Sequence, residues 1–426
     1  MKTLAEIAAQ LQGYDPKALP ADAVGEFLSH LVEPVADVED VPVFDALDRV
    51  LAQDIASPIS VPPHDNSAMD GFAFSSSELK SAGTITLQVV GTALAGKAWQ
   101  GSAGAGQCVK IMTGAIMPAG LDTVVPQEFA QPNAAGGDSD RVSFDAGVVR
   151  AGDNRRLKGE DLMQGGAALA AGTRIGPAAC GLIASLGMAN VPVRRKLRVA
   201  YFSTGDEILS FGEPPREGAV YDSNRYTVHA MLTRLGCDVI DMGVVRDDPA
   251  KLEDAFRNAA AKADAIITSG GVSVGEADYT KAMMAKLGDV AFWRIAMRPG
   301  RPMAVGRIGS SVLFGLPGNP VAVMVTFIAF VRPALLRMMG AAPLHHPYLR
   351  ARCLEAMRKK PGRTEYQRGI VTTAADGHVE VRTTGNQGSG VLSSMTQANG
   401  LIVLHHAQGN VALGDEVDVL MFDGAV

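Results

Sequence analysis

Apolar and polar positions alternate most regularly between residues 197 and 343. Continuous apolar runs, typical of buried strands, occur at 197–204, 237–245, 265–269 and 311–316. Helical patterns follow them at 223–235, 249–262, 276–288 and 321–331, and three begin at Asp222 or Ser223, at Asp248-Pro249 and at Asn319-Pro320. This alternation predicts a mostly parallel, doubly wound sheet.

The segments on either side carry a different pattern. Short β-like runs at 84–90, 108–112, 123–126 and 141–144 alternate with glycine-rich turns. The residues after 343 show the same pattern of short strands separated by glycines. Prolines at 58–63 and a basic run at 194–196 mark boundaries. The prediction is therefore an α/β plus β multidomain chain: an elongated linker domain (1–60 and 150–195), an inserted β domain (61–149), an α/β domain (196–343) and a C-terminal β domain (344–426).

Composition narrows the class of protein. The 426 residues include 39 Lys and Arg against 45 Asp and Glu, so the net charge is −6 and no basic excess is present to bind nucleic acid. The N-terminal helical pattern lacks the apolar core of a signal peptide, and the apolar run 321–331 is shorter than a membrane span. The four cysteines show neither metal-ligand nor disulfide spacing. We expect a cytoplasmic protein without a nucleic-acid or membrane partner.

Polar clusters follow the predicted strands where ligands bind in open α/β sheets. They are Ser203-Thr204-Gly205-Asp206-Glu207, Asp247-Asp248, the segment from Ser269 to Asp278 with Gly270, Gly271, Ser273 and Gly275, and Pro317-Gly318-Asn319-Pro320. Glycines let backbone N–H groups face a phosphate, and carboxylates beside a phosphate favour Mg²⁺ as the intermediary. The clusters predict a phosphate-bearing substrate with Mg²⁺. The alternative is that these clusters are only tight turns. Asp248 is expected to cap the following helix, which leaves Asp247 as the candidate metal ligand.

A basic element complements these acids. Arg298 and Arg301 flank Pro299-Gly300 and precede Pro302, where two guanidinium groups could clamp a tetrahedral oxyanion; the alternative is a solvated turn. The loop from His64 to Gly71 is either a turn with Asx motifs or a catalytic edge, and composition does not decide between them. The histidines show no metal-ligand spacing.

At these residues the chain resembles the MoeA/gephyrin family of molybdopterin molybdenumtransferases. The motifs that carry the resemblance run over nearly the whole chain: DNSAMDGFA (65–73), KIMTGAIMPAG (110–120), VVPQE (124–128), GEDL (159–162), FSTGDEI (202–208), VYDSNRY (220–226), SGGVSVGEADYTK (269–281), MRPGRP (297–302) and GLPGNP (315–320).

The resemblance implies an activity and an assembly. Molybdate is inserted into adenylylated molybdopterin, AMP is released and Mg²⁺ is required. The implied α/β domain is MogA-like, and the C-terminal domain resembles a β-barrel. The implied assembly is an elongated homodimer, whose cleft lies between the α/β domain of one subunit and the inserted domain of the other. Transient contact with other proteins of cofactor synthesis is also compatible with the resemblance.

The resemblance also implies roles for individual residues. Asp70 and Thr113 reach the cleft from the inserted domain, and Glu207, Asp247 and Asp278 line it from the α/β side as catalytic residues and metal ligands. The substrate-binding candidates are Ser203, Thr204, Gly205, Asp222, Gly270, Gly271, Ser273, Gly275, Arg298, Arg301, Pro302, Pro317, Gly318 and Asn319. Arg298, Arg301 and Pro302 belong to the molybdate pocket, which Arg368 and Ser394 from the C-terminal domain complete.

Two positions depart from the family pattern. Arg298 and Arg301 stand where the family commonly has lysines, which keeps the charge and changes the hydrogen-bond geometry. Ala322 stands where many relatives have serine, so one hydroxyl contact to molybdate is missing. Two other functions remain as alternatives: a molybdopterin adenylyltransferase on the same α/β domain, and a non-enzymatic scaffold of the gephyrin type.

Overall fold

The computed structural model describes residues 2–132, 140–272, 279–343 and 347–422. Within these ranges the chain forms three six-stranded sheets and four two-stranded ones, together with the helices that cover them. The α/β plus β architecture predicted from the sequence is confirmed.

The central sheet carries the polar clusters. Its strands, in spatial order, are Asp238–Val245, Arg198–Thr204, Ala265–Ser269, Ser311–Leu316, Pro302–Ile308 and Gly288–Arg294. The first four are parallel and the last two add an antiparallel edge. Arg198–Thr204, Ala265–Ser269 and Ser311–Leu316 are almost entirely buried, as expected where helices cover both faces, whereas the edge strand Asp238–Val245 is half-buried.

Helices follow the strands at the predicted places. They are Ser223–Leu235, Pro249–Lys262, Tyr279–Leu287 and Pro320–Thr326. Asp222 caps the first and Gly236 ends it at φ 91°, and Asp248 caps the second. The Asp248 side chain therefore caps the helix, as the sequence predicted.

The last of these helices is longer than the apolar pattern 321–331 indicated. It continues through a π-helical turn at Phe327–Val331 into Arg332–Met338. The π-turn pairs the Arg332 N–H with the Phe327 carbonyl, five residues back, and so carries the helix past Pro333, which has no N–H to donate. By length and composition, Pro320–Met338 could cross a membrane, with a mean hydropathy of 1.8, but 78% of it is buried inside the protein.

The N-terminal helices differ from the domain prediction, which placed residues 1–60 in the linker domain. Helices Leu4–Ala8 and Ala21–Leu31 pack on the α/β core instead. The Phe27 ring meets Trp293 edge to face at 4.8 Å, and Trp293 donates a hydrogen bond of 2.8 Å to the Tyr14 hydroxyl. Their apolar faces are buried there, which accounts for the helical pattern at the N-terminus of the sequence.

The linker segments form a small core of their own. Strand Val38–Pro42 pairs with Asn190–Arg194, strand Ile55–Ala56 pairs with Ala167–Leu169, and helix Pro177–Ser185 covers them. Short strands Asn66–Ser67 and Arg155–Arg156 pair where the chain enters and leaves the inserted domain.

The inserted domain is a six-stranded sheet. Its strands, in spatial order, are Thr123–Pro126, Gly71–Phe74, Gln107–Ile111, Thr84–Ala93, Arg141–Asp145 and Gln131–Pro132. Single 3₁₀ turns occur at Val43–Asp45 in the linker and at Ser76–Glu78 and Gln127–Phe129 in this domain.

The C-terminal domain is a β-barrel with one short helix, Ser393–Gln397. Its strands are Thr364–Thr373, Val379–Thr383, Leu349–Cys353, Glu416–Met421 and Gly400–Leu404. The last strand pairs back onto the first, which closes the barrel. Strand Met297–Arg298, from the α/β domain, pairs with Thr364-Glu365 and joins the two domains. It begins the segment 298–302, which contains Arg298 and Arg301 and is called the arginine element below.

Candidate active site at the strand ends

Three parallel strands end in direct contact at one edge of the central sheet. The Gly270 N–H donates a hydrogen bond of 3.1 Å to the Leu316 carbonyl. Gly270 has φ +90°, and a Cβ atom there would lie 2.5 Å from the Thr204 carbonyl oxygen. A Cβ on Gly318 would lie 4.0 Å from the Gly270 Cα. The glycines therefore let three loops meet in what we call the rim, made of residues 203–207, 269–271 and 317–319.

A buried hydroxyl cluster supports the rim from below. The Tyr201 hydroxyl lies 2.9 Å from Ser203 Oγ and 2.7 Å from Ser269 Oγ. Burial raises the pKa of Tyr201, so the phenol stays protonated. The Ser203 and Thr204 side chains, predicted to bind substrate, are buried and hydrogen-bonded here, so they hold the rim together and their side chains do not line its surface.

Glu207 and Asp247 lie at the acidic end of the rim. Glu207 is exposed, and its carboxylate lies over Gly205, whose φ is +139°; a Cβ on that glycine would be 2.5 Å from Glu207 Oε2. The Asp247 N–H donates to Asp206 Oδ1 at 3.3 Å. Arg246 binds the carbonyls of Asp206 and Ile208 at 3.0 and 2.9 Å, and so fixes the loop of Glu207 against the loop of Asp247. The structure brings together the loops that carry these two predicted carboxylates.

The remaining acidic candidate lies outside the described residues. Asp278, Ser273 and Gly275 fall between Val272 and Tyr279 and have no described position. Within the described parts of the chain, no cluster of three His, Cys, Asp or Glu could hold a metal ion unaided. Glu207 and Asp247 nevertheless fit Mg²⁺, which binds one or two carboxylates and completes its shell with water and substrate phosphates.

Several buried polar atoms around the rim have no hydrogen-bond partner. These atoms are Asp222 Oδ2, Asn224 Oδ1, Thr280 Oγ1 and Thr326 Oγ1. Thr280 abuts Gly271, the Asn224 amide donates 2.7 Å to the Gly318 carbonyl, and Thr326 abuts Gly300. Buried polar groups are normally paired, so this concentration at one edge indicates a site that is completed by a ligand.

The Pro317–Asn319 turn connects the rim to the arginine element. Pro317 is buried, while Gly318 and Asn319 are exposed. Asn319 precedes the long helix as predicted, but its side chain makes no capping hydrogen bond and is free to face a ligand. The Val321 N–H donates 3.1 Å to the Ser389 carbonyl of the C-terminal domain.

Arginines from two domains meet beside this turn. Arg298 and Arg301 are exposed and Pro302 is half-buried; Gly300 between the arginines has φ +87° and packs against Thr326. Arg368 is buried in the barrel, where its Nε donates 2.9 Å to Ser394 Oγ. Burial and, secondarily, the charge of nearby Arg298 lower the pKa of Arg368 to about 10.

Ala322 lies close to this arginine element. A Cβ on Gly300 would lie 3.4 Å from the Ala322 carbonyl oxygen. The backbone of residue 322 is therefore close to the arginine turn. The element gathers positive charge and hydrogen-bond donors, as an oxyanion pocket requires.

Asp70 and Thr113 form a pair within the inserted domain. Asp70 Oδ1 accepts hydrogen bonds from the Thr113 N–H at 2.6 Å and from Oγ1 at 2.7 Å. These bonds, the backbone one foremost, hold the pKa of Asp70 below its usual value. Across the described ranges, no hydrogen bond joins either residue to the rim.

The sequence patterns missed several residues that shape the site. Tyr201, Asn224, Arg246, Thr280 and Thr326 support it from positions that look like core or surface positions of a strand or helix. Two of them had a local signal, because Asn224 lies in the VYDSNRY motif and Thr280 in the SGGVSVGEADYTK motif. A separate cavity of about 750 Å³ lies between helix Ala21–Leu31, the long helix and the barrel, and none of the predicted site residues lines it.

Comparison with known proteins places the chain in a family. Residues 19–187 match the MoeA N-terminal region (domains I and II), residues 200–337 match a probable molybdopterin binding domain, and residues 350–422 match the MoeA C-terminal region (domain IV). A protein from Haemophilus influenzae named molybdopterin molybdenumtransferase is 41% identical over 89% of this chain and 92% of its own length. A Bacillus subtilis protein of the same name is 33% identical over 95% and 94%.

Solved structures agree with the sequence matches. A molybdopterin biosynthesis MoeA protein from Pyrococcus horikoshii has a TM-score of 0.81 and 26% identity, covering 95% of this chain and 100% of that one. Both the three-region match and the whole-chain structural likeness reproduce the order of domains described above. The chain belongs to the MoeA family.

Proposed function

We propose that this protein is a molybdopterin molybdenumtransferase, which inserts molybdate into adenylylated molybdopterin and releases AMP. The observation that carries the proposal is the arrangement of groups along the rim. The glycine-lined loops and the loops of Glu207 and Asp247 lie at one end, and arginines from two domains lie beside the Pro317–Asn319 turn at the other. A substrate with a phosphoanhydride at one end and a dithiolene at the other matches that order. The names of the relatives support the same reaction.

The glycine loops bind the phosphoanhydride in this proposal. Gly205, Gly270 and Gly271 have positive φ, a conformation that glycine adopts without strain, and they let the three loops turn tightly where a phosphate would bind. Because the loops are fixed by Arg246 and by the hydroxyl cluster, the site is organised before substrate arrives. Positioning and charge neutralisation supply most of the rate in phosphoryl chemistry, and no covalent nucleophile is required.

Glu207 and Asp247 would hold Mg²⁺, joined by Asp278 from the segment outside the described residues. Bound there, Mg²⁺ would neutralise charge on the phosphates as the phosphoanhydride is cleaved. Glu207 is exposed at the rim and free to turn toward a cation, while the Asp247 backbone is fixed by Asp206.

Arg298 and Arg301, with Pro302, bind molybdate in this proposal. Each guanidinium can donate two parallel hydrogen bonds to a tetrahedral oxyanion, whereas a lysine offers a point charge. Buried Arg368, oriented by Ser394, adds positive charge from the barrel side. The arginine turn therefore holds molybdate close to the dithiolene.

The active assembly is a homodimer in this proposal, with Asp70 and Thr113 completing the site of the partner subunit. Two observations support it. Phe44 in the linker is fully exposed and Val38 and Leu47 near it are more than half exposed, which is typical of a surface that a second protein covers. The Asp70–Thr113 pair has no hydrogen bond to the rim of its own chain among the residues described.

A cytoplasmic location is part of the same proposal. The four cysteines are unpaired, which suits a reducing compartment. Transient contact with the proteins that supply the adenylylated substrate would also fit this setting.

The test is to incubate the purified protein with adenylylated molybdopterin, Mg²⁺ and molybdate and to follow AMP. The proposal predicts AMP release that depends on molybdate. An adenylyltransferase would instead form pyrophosphate from ATP and molybdopterin, and a scaffold would do neither.

A further inference from the structure

The Arg246 side chain connects the two loops that carry the carboxylates assigned to Mg²⁺. One of its nitrogens, Nη1, donates to the Asp206 carbonyl at 3.0 Å and to the Ile208 carbonyl at 2.9 Å, so it holds the chain on both sides of Glu207. Asp247 follows Arg246 directly and donates its own N–H to Asp206 Oδ1 at 3.3 Å. The backbones of the two carboxylate residues are therefore tied together through a single guanidinium group.

A bulge in the edge strand that precedes Arg246 brings it to this position. The register of this strand against its neighbour shifts by one residue between Asp241 and Val244, and Gly243, within the shift, has φ +76°. Because of the shift, Arg246 leaves the sheet directly beside the loop that begins at Gly205. Bulges are common next to active sites, where they change the direction of a side chain.

The charge of Arg246 opposes the binding of a cation beside it, because like charges repel. Glu213 offsets part of this repulsion, since its Oε2 lies 3.3 Å from Arg246 Nη2. The Ser210 N–H and, less strongly, the charge of Arg246 lower the pKa of Glu213, which keeps this carboxylate ionised at neutral pH. Electrostatics alone would thus favour a neutral residue at position 246. What the arginine contributes is the position of the groups that it holds.

A fixed spacing of the two loops affects Mg²⁺ and Ca²⁺ differently. Mg²⁺ requires near-ideal octahedral geometry with oxygens at about 2.0–2.1 Å, whereas Ca²⁺ accepts a larger and more variable shell with oxygens at about 2.3–2.6 Å. Loops that are free to separate can adjust to the larger ion. Loops that are tied together cannot, so the tie favours the smaller one.

We propose that Arg246 sets the preference for Mg²⁺ over Ca²⁺ by holding the loops of Glu207 and Asp247 at a fixed spacing. It is a positioning residue in this role, because it acts on the cation only through the two loops. The inference rests on the proposed function, because the cation is part of that function. Arginine suits the task since its planar fork reaches several acceptors at once, whereas lysine presents a single nitrogen.

Arg246→Lys tests the proposal with the charge unchanged. The probe is Mn²⁺ in the presence of AMP, whose phosphate completes the cation site. Electron paramagnetic resonance of the free ion measures its binding, and Mg²⁺ and Ca²⁺ are added as competitors. Mg²⁺ affinity should fall roughly 10- to 100-fold, the usual effect of removing a group that orients metal ligands. Ca²⁺ affinity should fall less, so the ratio of the Ca²⁺ to the Mg²⁺ dissociation constant should decrease.

Arg257→Lys is the matched control. Arg257 also pairs with a carboxylate, that of Glu253 at 2.7 Å, but it does so within helix Pro249–Lys262 and contacts neither loop of the cation site. This variant should keep the affinities for both cations.

Arg246→Gln separates position from charge. Relief of charge repulsion alone predicts that Mg²⁺ binds more tightly to this variant, whereas the proposal predicts weaker binding, as in Arg246→Lys. The Arg246 side chain is 36% exposed, so neither substitution opens a buried cavity, and circular dichroism checks that both variants are folded. Tighter Mg²⁺ binding by Arg246→Gln, or equal losses of Mg²⁺ and Ca²⁺ affinity in Arg246→Lys, would overturn the proposal.

The two levels of the proposal fail differently. If the unmodified protein releases AMP from its adenylylated substrate equally fast without a divalent cation, the Mg²⁺ requirement in the proposed function is wrong and the inference is wrong with it. If AMP release requires Mg²⁺ and Arg246→Lys keeps the cation preference of the unmodified protein, only the role of Arg246 is wrong.

Discussion

Asp70 accepts both the backbone N–H and the side-chain hydroxyl of Thr113 through one oxygen, Oδ1, at 2.6 and 2.7 Å. Its second oxygen, Oδ2, is therefore left for a ligand. The two bonds also keep the carboxyl ionised, because both donors favour the charged form. A carboxylate on the inserted domain that stays ionised to lower pH than usual suits a residue that acts on a reaction centre from across a cleft.

Thr113→Val should therefore change the pH dependence of AMP release. The substitution removes the hydroxyl donor and keeps the backbone one, so the lowered pKa of Asp70 moves up toward its usual value. Because activity needs the ionised form, the acidic limb of the pH–rate profile should move to higher pH. Thr92→Val, at an exposed position of the same sheet, is the control and should leave the profile unchanged. An unmoved acidic limb in Thr113→Val would show that Asp70 ionisation does not limit the reaction.

Gly270→Ala should destabilise the protein more than an alanine at another left-handed glycine. Its Cβ would meet the Thr204 carbonyl at 2.5 Å, whereas Gly309, at φ +60°, has open space around it. Gly309→Ala should cost about 1 kcal/mol from backbone strain alone, and Gly270→Ala should cost about 2 kcal/mol or more. Urea unfolding gives both free energies. Equal losses would mean that the rim loops adjust freely and are not held in contact.

Arg301→Lys should weaken the use of molybdate while keeping the positive charge. Lysine loses the bidentate geometry, so the molybdate concentration for half-maximal AMP release should rise about 3- to 10-fold, with little change in maximal rate. Arg294→Lys, at an exposed arginine on the neighbouring strand, is the control. A rise of equal size in both variants would contradict a specific contact between the Arg301 guanidinium and molybdate.

Asp264 joins the linker to the α/β domain and should stabilise the chain in a pH-dependent way. It accepts hydrogen bonds from Arg195 at 2.7 and 2.8 Å and from the Arg198 N–H at 2.8 Å. Burial acts to raise the pKa of Asp264, but these bonds outweigh it and lower the pKa. A lowered folded-state pKa adds stability above the unfolded value of about 3.9, and this stability is lost as the pH falls through the folded value.

Asp264→Asn should accordingly lose about 1 to 3 kcal/mol of unfolding free energy at neutral pH. The difference from the unmodified protein should shrink as the pH falls below about 3.9. Asp37→Asn, which removes an exposed partner of the same Arg195, should cost less than about 1 kcal/mol. A pH-independent difference for Asp264→Asn would rule out its ionised form as the source of stability.

The central sheet could be predicted from sequence because its signals are local. Asp222, Gly236 and Asp248-Pro249 mark helix ends through backbone geometry and capping, and the strands are continuous apolar runs. Parallel topology then places Glu207 and Asp247 at the same edge without knowledge of any contact.

The supporting residues could not be predicted because their roles depend on distant parts of the chain. In the sequence, Thr326 is only a threonine within an apolar helix, and its contact with Gly300 is seen only in the folded chain. Likewise, nothing in the sequence shows that the Asn224 side chain donates a hydrogen bond to the Gly318 carbonyl. The packing of residues 4–31 on the α/β core was missed for the same reason. An amphipathic pattern predicts that one face of a helix is buried, but it does not show which part of the protein covers that face.

The most direct measurement of the central claim is to quantify released AMP and pterin-bound molybdenum in one reaction of purified protein with adenylylated molybdopterin, Mg²⁺ and molybdate. The account predicts equal amounts of the two products and neither product when molybdate is left out. AMP released at the same rate without molybdate, or molybdenum bound to the pterin without AMP, would contradict it.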